Sequence, residues 1–146
     1  MVKTIWLDMD GTMADLYGVE GWLEMLEAHN AKPYAEAKPL VRMATLARLL
    51  NNRQREGYRV CVISALAKNS DTNYDTAVMK AKLVWLKRHL NSVRFDEIRF
   101  VPYTYTKNNA NNGNDVLFDD EARHLEAWTG TAIEAKNLLE GLKALR

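Results

Sequence analysis

The sequence predicts an α/β domain with a doubly wound, Rossmann-like parallel sheet flanked by helices. Three observations predict this fold and its extent as one domain. Short apolar runs of strand length alternate with stretches of helical periodicity. No internal repeat or long linker divides the chain, and its 146 residues suit one domain. We therefore expect a single domain over residues 1–146, with a small cap insert at residues 16–38.

The first half of the chain predicts two strands and two helices. Residues 2–7 form an apolar, β-branched run that predicts a buried strand. Residues 19–30 have apolar side chains at helical spacing and predict one short amphipathic helix, and the proline-containing residues 31–38 predict a connector. A helix is then expected from Pro39, which suits a first helical turn, until Gly57 stops it. Residues 58–64 predict the second strand.

The second half continues the same alternation. Apolar residues recur every three or four positions over residues 75–90, which predicts the clearest helix. Residues 98–101 predict a strand. Residues 104–114 are polar and rich in asparagine, which predicts a surface loop. The remaining elements expected are strands at 116–118 and 131–133 and a closing helix at 134–145.

Composition limits the partners and the compartment. The formal charge of +1 and the pI of about 7.8 give no general attraction for nucleic acid or an anionic membrane. Neither a signal-peptide layout nor an apolar run of about 18 residues is present, so we expect a cytoplasmic protein without a membrane segment. The single cysteine, Cys61, forbids an internal disulfide, and its apolar neighbours predict a buried, inert thiol.

Polar side chains follow three of the predicted strands where each strand ends. Asp8 and Asp10 follow the first strand, Ser64 ends the second, and Asp119 and Asp120 follow residues 116–118. Ligands of open α/β sheets bind outside the carboxyl ends of the strands, so these groups are candidates for one site. Four carboxylates in one crevice repel one another unless a cation is present, and Mg²⁺ with a substrate phosphate fits such oxygen ligands.

Each of these signals also has a simpler structural explanation. The Asp8 to Gly11 segment has the composition of a turn. Asp119 and Asp120 precede a stretch that suits a helix, which is the position of an N-cap. Ser64 alone is an ordinary hydroxyl at the end of a strand. The three signals at three strand ends, in this order, favour a functional site over three unrelated structural features.

The motifs resemble those of the haloacid dehalogenase superfamily of phosphohydrolases. The resemblance is closest to the 5'(3')-deoxyribonucleotidase branch and its small phage-type members, and it spans residues 3–128. The segments that carry it are Asp8-Met9-Asp10-Gly11-Thr12, Ile63-Ser64, Lys82-Leu83-Val84-Trp85-Leu86 and Leu117-Phe118-Asp119-Asp120.

The resemblance implies a role for each matched residue. Asp8 is expected to be the nucleophile and a Mg²⁺ ligand. Asp10 is expected to act as general acid and then general base, with its backbone carbonyl on the metal. Asp120 is the third expected protein ligand, with Asp119 behind it or paired to a lysine. Lys82 is expected to neutralise Asp8 and the phosphate, and Lys107 is the alternative.

Further residues are expected to contact the substrate. The phosphoryl group would be bound by Ser64 and assisted by Lys68, and the other expected substrate contacts are Gly11, Thr12 and Ala65. Tyr17 and Trp22, just after the nucleophile loop, either stack on a base or pack the small helix. The three histidines show no ligand spacing and are expected on the surface: His29, His89 and His124.

The resemblance implies a Mg²⁺-dependent phosphomonoester hydrolase that forms an aspartyl-phosphate. Nucleotides, including nucleoside monophosphates, or other small phosphate esters are the expected substrates. The branch it resembles has a cap of several helices, whereas residues 16–38 have room for one short helix. We therefore expect broad specificity. Two alternatives stay open: a polynucleotide-end phosphatase, and a non-catalytic module that binds phosphate or a partner.

Overall fold

A parallel sheet flanked by helices forms the core of the chain, whose residues 3–145 are described by a computed structural model. The strands, in chain order, are β1 (Thr4–Leu7), β2 (Ala14–Asp15), β3 (Lys38–Pro39), β4 (Arg59–Ala65), β5 (Glu97–Val101), β6 (Val116–Asp119) and β7 (Thr131–Glu134). The helices are α1 (Trp22–Glu27), α2 (Lys32–Glu36), α3 (Met43–Arg55), α4 (Thr72–His89), α5 (Ala122–Ala127) and α6 (Leu138–Ala144). Single 3-10 turns occupy Leu16–Gly18, Lys107–Ala110 and Ala135–Asn137.

The main sheet has the strand order β5-β4-β1-β6-β7, and every neighbouring pair is parallel. The chain runs from the central β1 out to β4 and β5, then returns across β1 to β6 and β7. The crevice beside β1 is therefore a topological switch point, where the carboxyl ends of β1, β4 and β6 lie at one edge. The predicted fold class is confirmed.

Alternating side chains of the strands build a core on each face of the sheet. Ile5 and Leu7 belong to a large cluster with Leu50 of α3 and Leu142 of α6. Trp6 belongs to a second, separate cluster. Its other buried members are Cys61, Ile63, Val101, Leu117 and Trp128. The prediction of a buried thiol is confirmed, and burial raises the pKa of Cys61 to about 11.

The insert leaves and rejoins the core through a small antiparallel ribbon of β2 and β3. It contains α1 and α2, where the sequence predicted one helix over 19–30 and a connector over 31–38. Gly21 has a left-handed backbone (φ +74°) and precedes the first residue of α1, so this helix begins at Trp22. Pro33 lies in the first turn of α2, where a backbone N–H has no partner within the helix. The connector prediction is therefore wrong.

Other element boundaries differ for local reasons. Pro39 pairs with Ala14 in β3, so α3 begins at Met43 instead of Pro39. Helix α4 begins before residue 75 because the Asp71 carboxylate accepts a hydrogen bond from the Tyr74 backbone N–H (2.7 Å) and caps it. The predicted strands agree with the structure to within one residue at each end, apart from Val2 in the first, which lies outside the described residues.

The predicted surface loop at 104–114 is tied to the core. It contains a 3-10 turn whose Lys107 side chain is buried. The Asn108 side-chain carbonyl accepts from the Thr129 backbone N–H (2.9 Å), and Asn111 donates to the Thr129 hydroxyl (2.8 Å). The prediction of a surface loop is confirmed for most of the segment, and the buried Lys107 is the exception.

Among residues 3–145, no helix combines the length and apolar character that crossing a membrane requires.

Candidate active site

Asp8 lies at the centre of the site, directly after the central strand β1. Its backbone N–H donates to the Phe118 carbonyl (3.0 Å), which fixes it beside β6. One carboxylate oxygen is 2.8 Å from Lys107 Nζ, and the other accepts from the Thr12 hydroxyl (2.9 Å). Burial alone would raise the pKa of Asp8, but Lys107 and these hydrogen bonds hold it below its ordinary value. Asp8 is therefore an ionised, buried carboxylate.

Lys107 is the lysine that pairs with Asp8. Its Nζ also lies 2.7 Å from an Asp119 oxygen, and the side chain is 2% exposed. Burial alone would lower the pKa of Lys107, but the charges of Asp8 and Asp119 raise it. Lys82 was predicted for this position, and that placement is wrong because α4 directs Lys82 to the neighbouring acid Asp10. The alternative, Lys107, takes the place beside Asp8.

Lys82 forms a second ion pair within the same site. Its fully buried Nζ contacts an Asp10 oxygen (2.9 Å), the Ser64 hydroxyl (2.6 Å) and the Ala65 carbonyl (2.8 Å). The Tyr34 ring of the insert lies over it, with 4.8 Å from Nζ to the ring centroid. Burial raises the pKa of Asp10 despite the opposing charge of Lys82. Tyr34 was missed in the sequence because an isolated tyrosine carries no signal of this contact.

Three carboxylates offer a site for a cation. Oxygens of Asp8, Asp119 and Asp120 all lie within 4.8 Å of one another. Partial burial and the neighbouring Asp8 raise the pKa of Asp120 to about 8, and burial followed by the charge of Asp8 raises the pKa of Asp119 to about 6. Gly11 (φ +84°) packs against the Asp120 carboxylate, where a Cβ would collide. Crowded hard oxygen donors of this kind fit Mg²⁺.

A cleft of about 550 Å³ opens in front of these groups. Its walls come from the insert and from the loop after β4, and Asp8, Asp10 and Lys107 lie among its lining residues. Further lining residues include Tyr17, Trp22, Leu26, His29, Tyr34, Ala65, Leu66, Lys68, Asn69 and Tyr103. A partly aromatic cleft next to paired charges is typical of a small-molecule site.

The other predicted substrate contacts divide into separate groups. Ala65 and Lys68 line the cleft, and Lys68 is exposed, with its Nζ 5.9 Å from the Tyr103 ring centroid. Gly11 and Thr12 line a second cavity of about 490 Å³ together with Asp120. Ser64 is fully buried against Lys82, so a substrate reaches its hydroxyl only after a small rearrangement.

The aromatic and histidine predictions have mixed outcomes. Tyr17 and Trp22 contact each other edge to face at 4.9 Å while they line the cleft, so they pack together and still face a ligand. His124 was expected on the surface but is 2% exposed, and burial lowers its pKa to about 4. His29 is exposed and stacks on Tyr74, and His89 is partly exposed, with its ring tilted by 44° against that of Trp85.

The fold is similar to that of a solved phosphatase. The crystal structure of D,D-heptose 1,7-bisphosphate phosphatase from Burkholderia thailandensis matches with a TM-score of 0.51 and 19% sequence identity. The match covers 86% of this chain and 70% of that one. No family model and no curated protein matches the sequence. At this identity the likeness shows a common α/β fold, so the function rests on the site itself.

Proposed function

We propose that this chain is a Mg²⁺-dependent phosphomonoester hydrolase of the haloacid dehalogenase superfamily. One observation carries the proposal: Asp8 and Asp10, at the end of the central strand, are each paired with a separate buried lysine at the floor of an open cleft. Burying a lysine costs several kcal/mol unless it is paired, so two such pairs beside solvent favour a functional site over a structural one.

The reaction would proceed in two displacements at phosphorus. In the first, an Asp8 oxygen attacks the phosphoryl group, the bond to the leaving oxygen breaks, and Asp10 donates a proton to that oxygen. In the second, Asp10 takes a proton from water, the water oxygen attacks phosphorus, and the bond to Asp8 breaks. The ionised state of Asp8 and the raised pKa of Asp10 suit these roles.

The metal would be held by carboxylates of Asp8 and Asp120, with the Asp10 backbone carbonyl as the resemblance implies. Asp119 binds Lys107 and accepts from the Glu121 backbone N–H (3.0 Å), so we place it behind the metal ligands. When bound, Mg²⁺ would neutralise the crowded acids and the phosphate charge.

The two lysines would have different tasks. Lys107 lies between Asp8 and Asp119 and would offset the charge that gathers on the phosphoryl group. Lys82 would hold Asp10 in position, and the Ser64 hydroxyl would bind a phosphoryl oxygen once a small rearrangement frees it from Lys82. Lys68, Thr12 and the backbone near Ala65 would complete the phosphate contacts.

The substrates we propose are small phosphate esters, including nucleoside monophosphates. The cleft volume of about 550 Å³ falls in the range of small-molecule sites. The rings of Tyr17, Trp22 and Tyr103 line it and supply surfaces on which a flat leaving group stacks.

A panel of phosphate esters, assayed with Mg²⁺ and with a chelator, tests the proposal. We expect phosphate release that requires Mg²⁺ and falls by at least about a thousandfold in Asp8→Asn. Glu140→Gln, an acid-to-amide change at an exposed position of α6, is the matched control and should keep wild-type activity. Release that persists in the chelator, or in Asp8→Asn, contradicts the proposal.

A further inference from the structure

Two residues with an unusual backbone conformation meet at the edge of the cleft. Among the described residues, His29 and Asn69 are the non-glycine residues with positive φ, both at +55°. His29 Nε2 lies 3.0 Å from the Asn69 backbone carbonyl and forms a hydrogen bond with it. Histidine and asparagine adopt the left-handed backbone more readily than most residues, and here one hydrogen bond joins two such positions.

Other contacts hold His29 in place. Its ring stacks on Tyr74 with the planes 1° apart and the centroids 4.7 Å apart. His29 Nδ1 lies 3.5 Å from Asp71, and the Tyr74 hydroxyl donates to the Asn30 carbonyl (3.1 Å). We call this set of contacts the His29 clip.

The clip joins the two walls of the cleft. His29 follows α1 in the insert, Asn69 belongs to the loop after β4, and both line the cleft. A second connection between the insert and the core, the Tyr34 ring over Lys82, lies at the cleft floor. Leu26 and Leu66 line the cleft on its two walls and pack in the hydrophobic cluster around Tyr34 and Tyr74. The insert and the loop after β4 are therefore in contact along this side of the cleft.

We propose that His29 is a specificity-determining residue, because the clip limits how far the leaving group of a phosphate ester extends from Asp8. A small ester would fit within the cleft of about 550 Å³. When the phosphate lies at the end of a polynucleotide, the leaving group is the rest of the strand, which must extend out of the cleft. The clip would obstruct that path. This inference rests on the proposed hydrolase function and restricts its substrate class to small molecules.

The test compares one nucleoside 5'-monophosphate with a 5'-phosphorylated tetranucleotide of the same base. We expect kcat/KM to favour the mononucleotide by about 100-fold in the wild type, and His29→Asn to reduce that ratio at least about tenfold. Asparagine tolerates the left-handed backbone, so this variant removes the ring and little else.

A control variant and a second measurement separate the clip from general effects. His89→Asn makes the same change on α4 beside Trp85, away from the cleft, and should leave the ratio unchanged. Amide hydrogen exchange should accelerate over residues 22–36 in His29→Asn and not in His89→Asn, which reports opening of the clip independently of activity.

The outcomes distinguish this inference from the proposed function. A wild-type ratio near one, or an unchanged ratio in His29→Asn, overturns the role of the clip while leaving the hydrolase intact. Binding of the two esters to an Asp8→Asn protein, with and without His29→Asn, measures the same discrimination without turnover. In a third outcome, the wild type hydrolyses neither ester, while the Asp8→Asn protein still binds the mononucleotide more tightly and loses this preference with His29→Asn. That result would contradict the proposed hydrolysis and support the role of the clip.

Discussion

Replacing Lys107 with methionine should destabilise the protein severely, because it leaves two buried acids without their cation. Lys107 is 2% exposed, and its Nζ contacts Asp8 at 2.8 Å and Asp119 at 2.7 Å. Methionine keeps most of the side-chain volume and removes the charge. Breaking a buried pair from one side typically costs about 3–5 kcal/mol, since the remaining charge is uncompensated.

The expected loss is large against the total stability. The free energy of unfolding of a domain of this size is about 5–15 kcal/mol. The matched control is Lys136→Met, whose Nζ pairs with an exposed Glu134 at 3.1 Å with both side chains more than half exposed. Such a surface pair contributes about 0–1 kcal/mol. The two lysine-to-methionine changes should therefore differ by at least about 2 kcal/mol.

Urea unfolding monitored by tryptophan fluorescence measures this difference, in a chelator so that no metal compensates for the missing charge. The double variant Lys107→Met with Asp119→Asn should recover part of the lost stability, because it removes one of the two unpaired carboxylates. A Lys107→Met free energy of unfolding within about 1 kcal/mol of the wild type would refute the reasoning.

Three further predictions concern the insert, a buried histidine and the cleft. Trp85→Phe removes the hydrogen-bond donor to the Ala37 carbonyl (2.7 Å), where the insert rejoins the core. Urea titrations should show a free energy of unfolding lower by about 1–3 kcal/mol, and no change would show that this hydrogen bond is dispensable. His124 has a folded pKa of about 4 against 6.5, so the unfolded state binds the proton more readily and stability should fall by up to about 3 kcal/mol as pH drops from 6.5 to 4. His124→Gln should reduce that slope in unfolding curves across this range, and an equal slope in both proteins would contradict a neutral buried imidazole. Trp22→Ala should lower kcat/KM for a nucleoside monophosphate about 5- to 150-fold relative to a small sugar phosphate, whereas equal losses on both would exclude base stacking on Trp22.

The fold was predictable from the sequence where burial alone sets the pattern. The strands β1, β4 and β6 are apolar on both faces, so their position and their polar ends are visible as short runs followed by Asp8, Ser64 and Asp119. Since parallel neighbours end at one edge, the meeting of these side chains followed from the fold class.

What the sequence did not reveal depends on long-range contacts. Lys107 lies among polar residues, and its burial comes from pairing with an acid 99 positions away. The helix α2 contains Pro33, whose position in a first turn becomes clear only once the start of the helix is known. His124 is buried although its helix is short and its other residues are not buried. In each case tertiary contacts outweigh the local pattern.

The covalent role of Asp8 is the central claim, and trapping the phosphorylated protein tests it most directly. Asp10→Asn removes the base for the second displacement, while an aryl phosphate, whose leaving group needs no proton, still allows the first. After an acid quench, peptide mass spectrometry should show one phosphoryl group on the peptide that contains Asp8 in Asp10→Asn, and none in the double variant with Asp8→Asn. An unmodified Asp8 peptide in Asp10→Asn, together with wild-type turnover by Asp8→Asn, would contradict the mechanism.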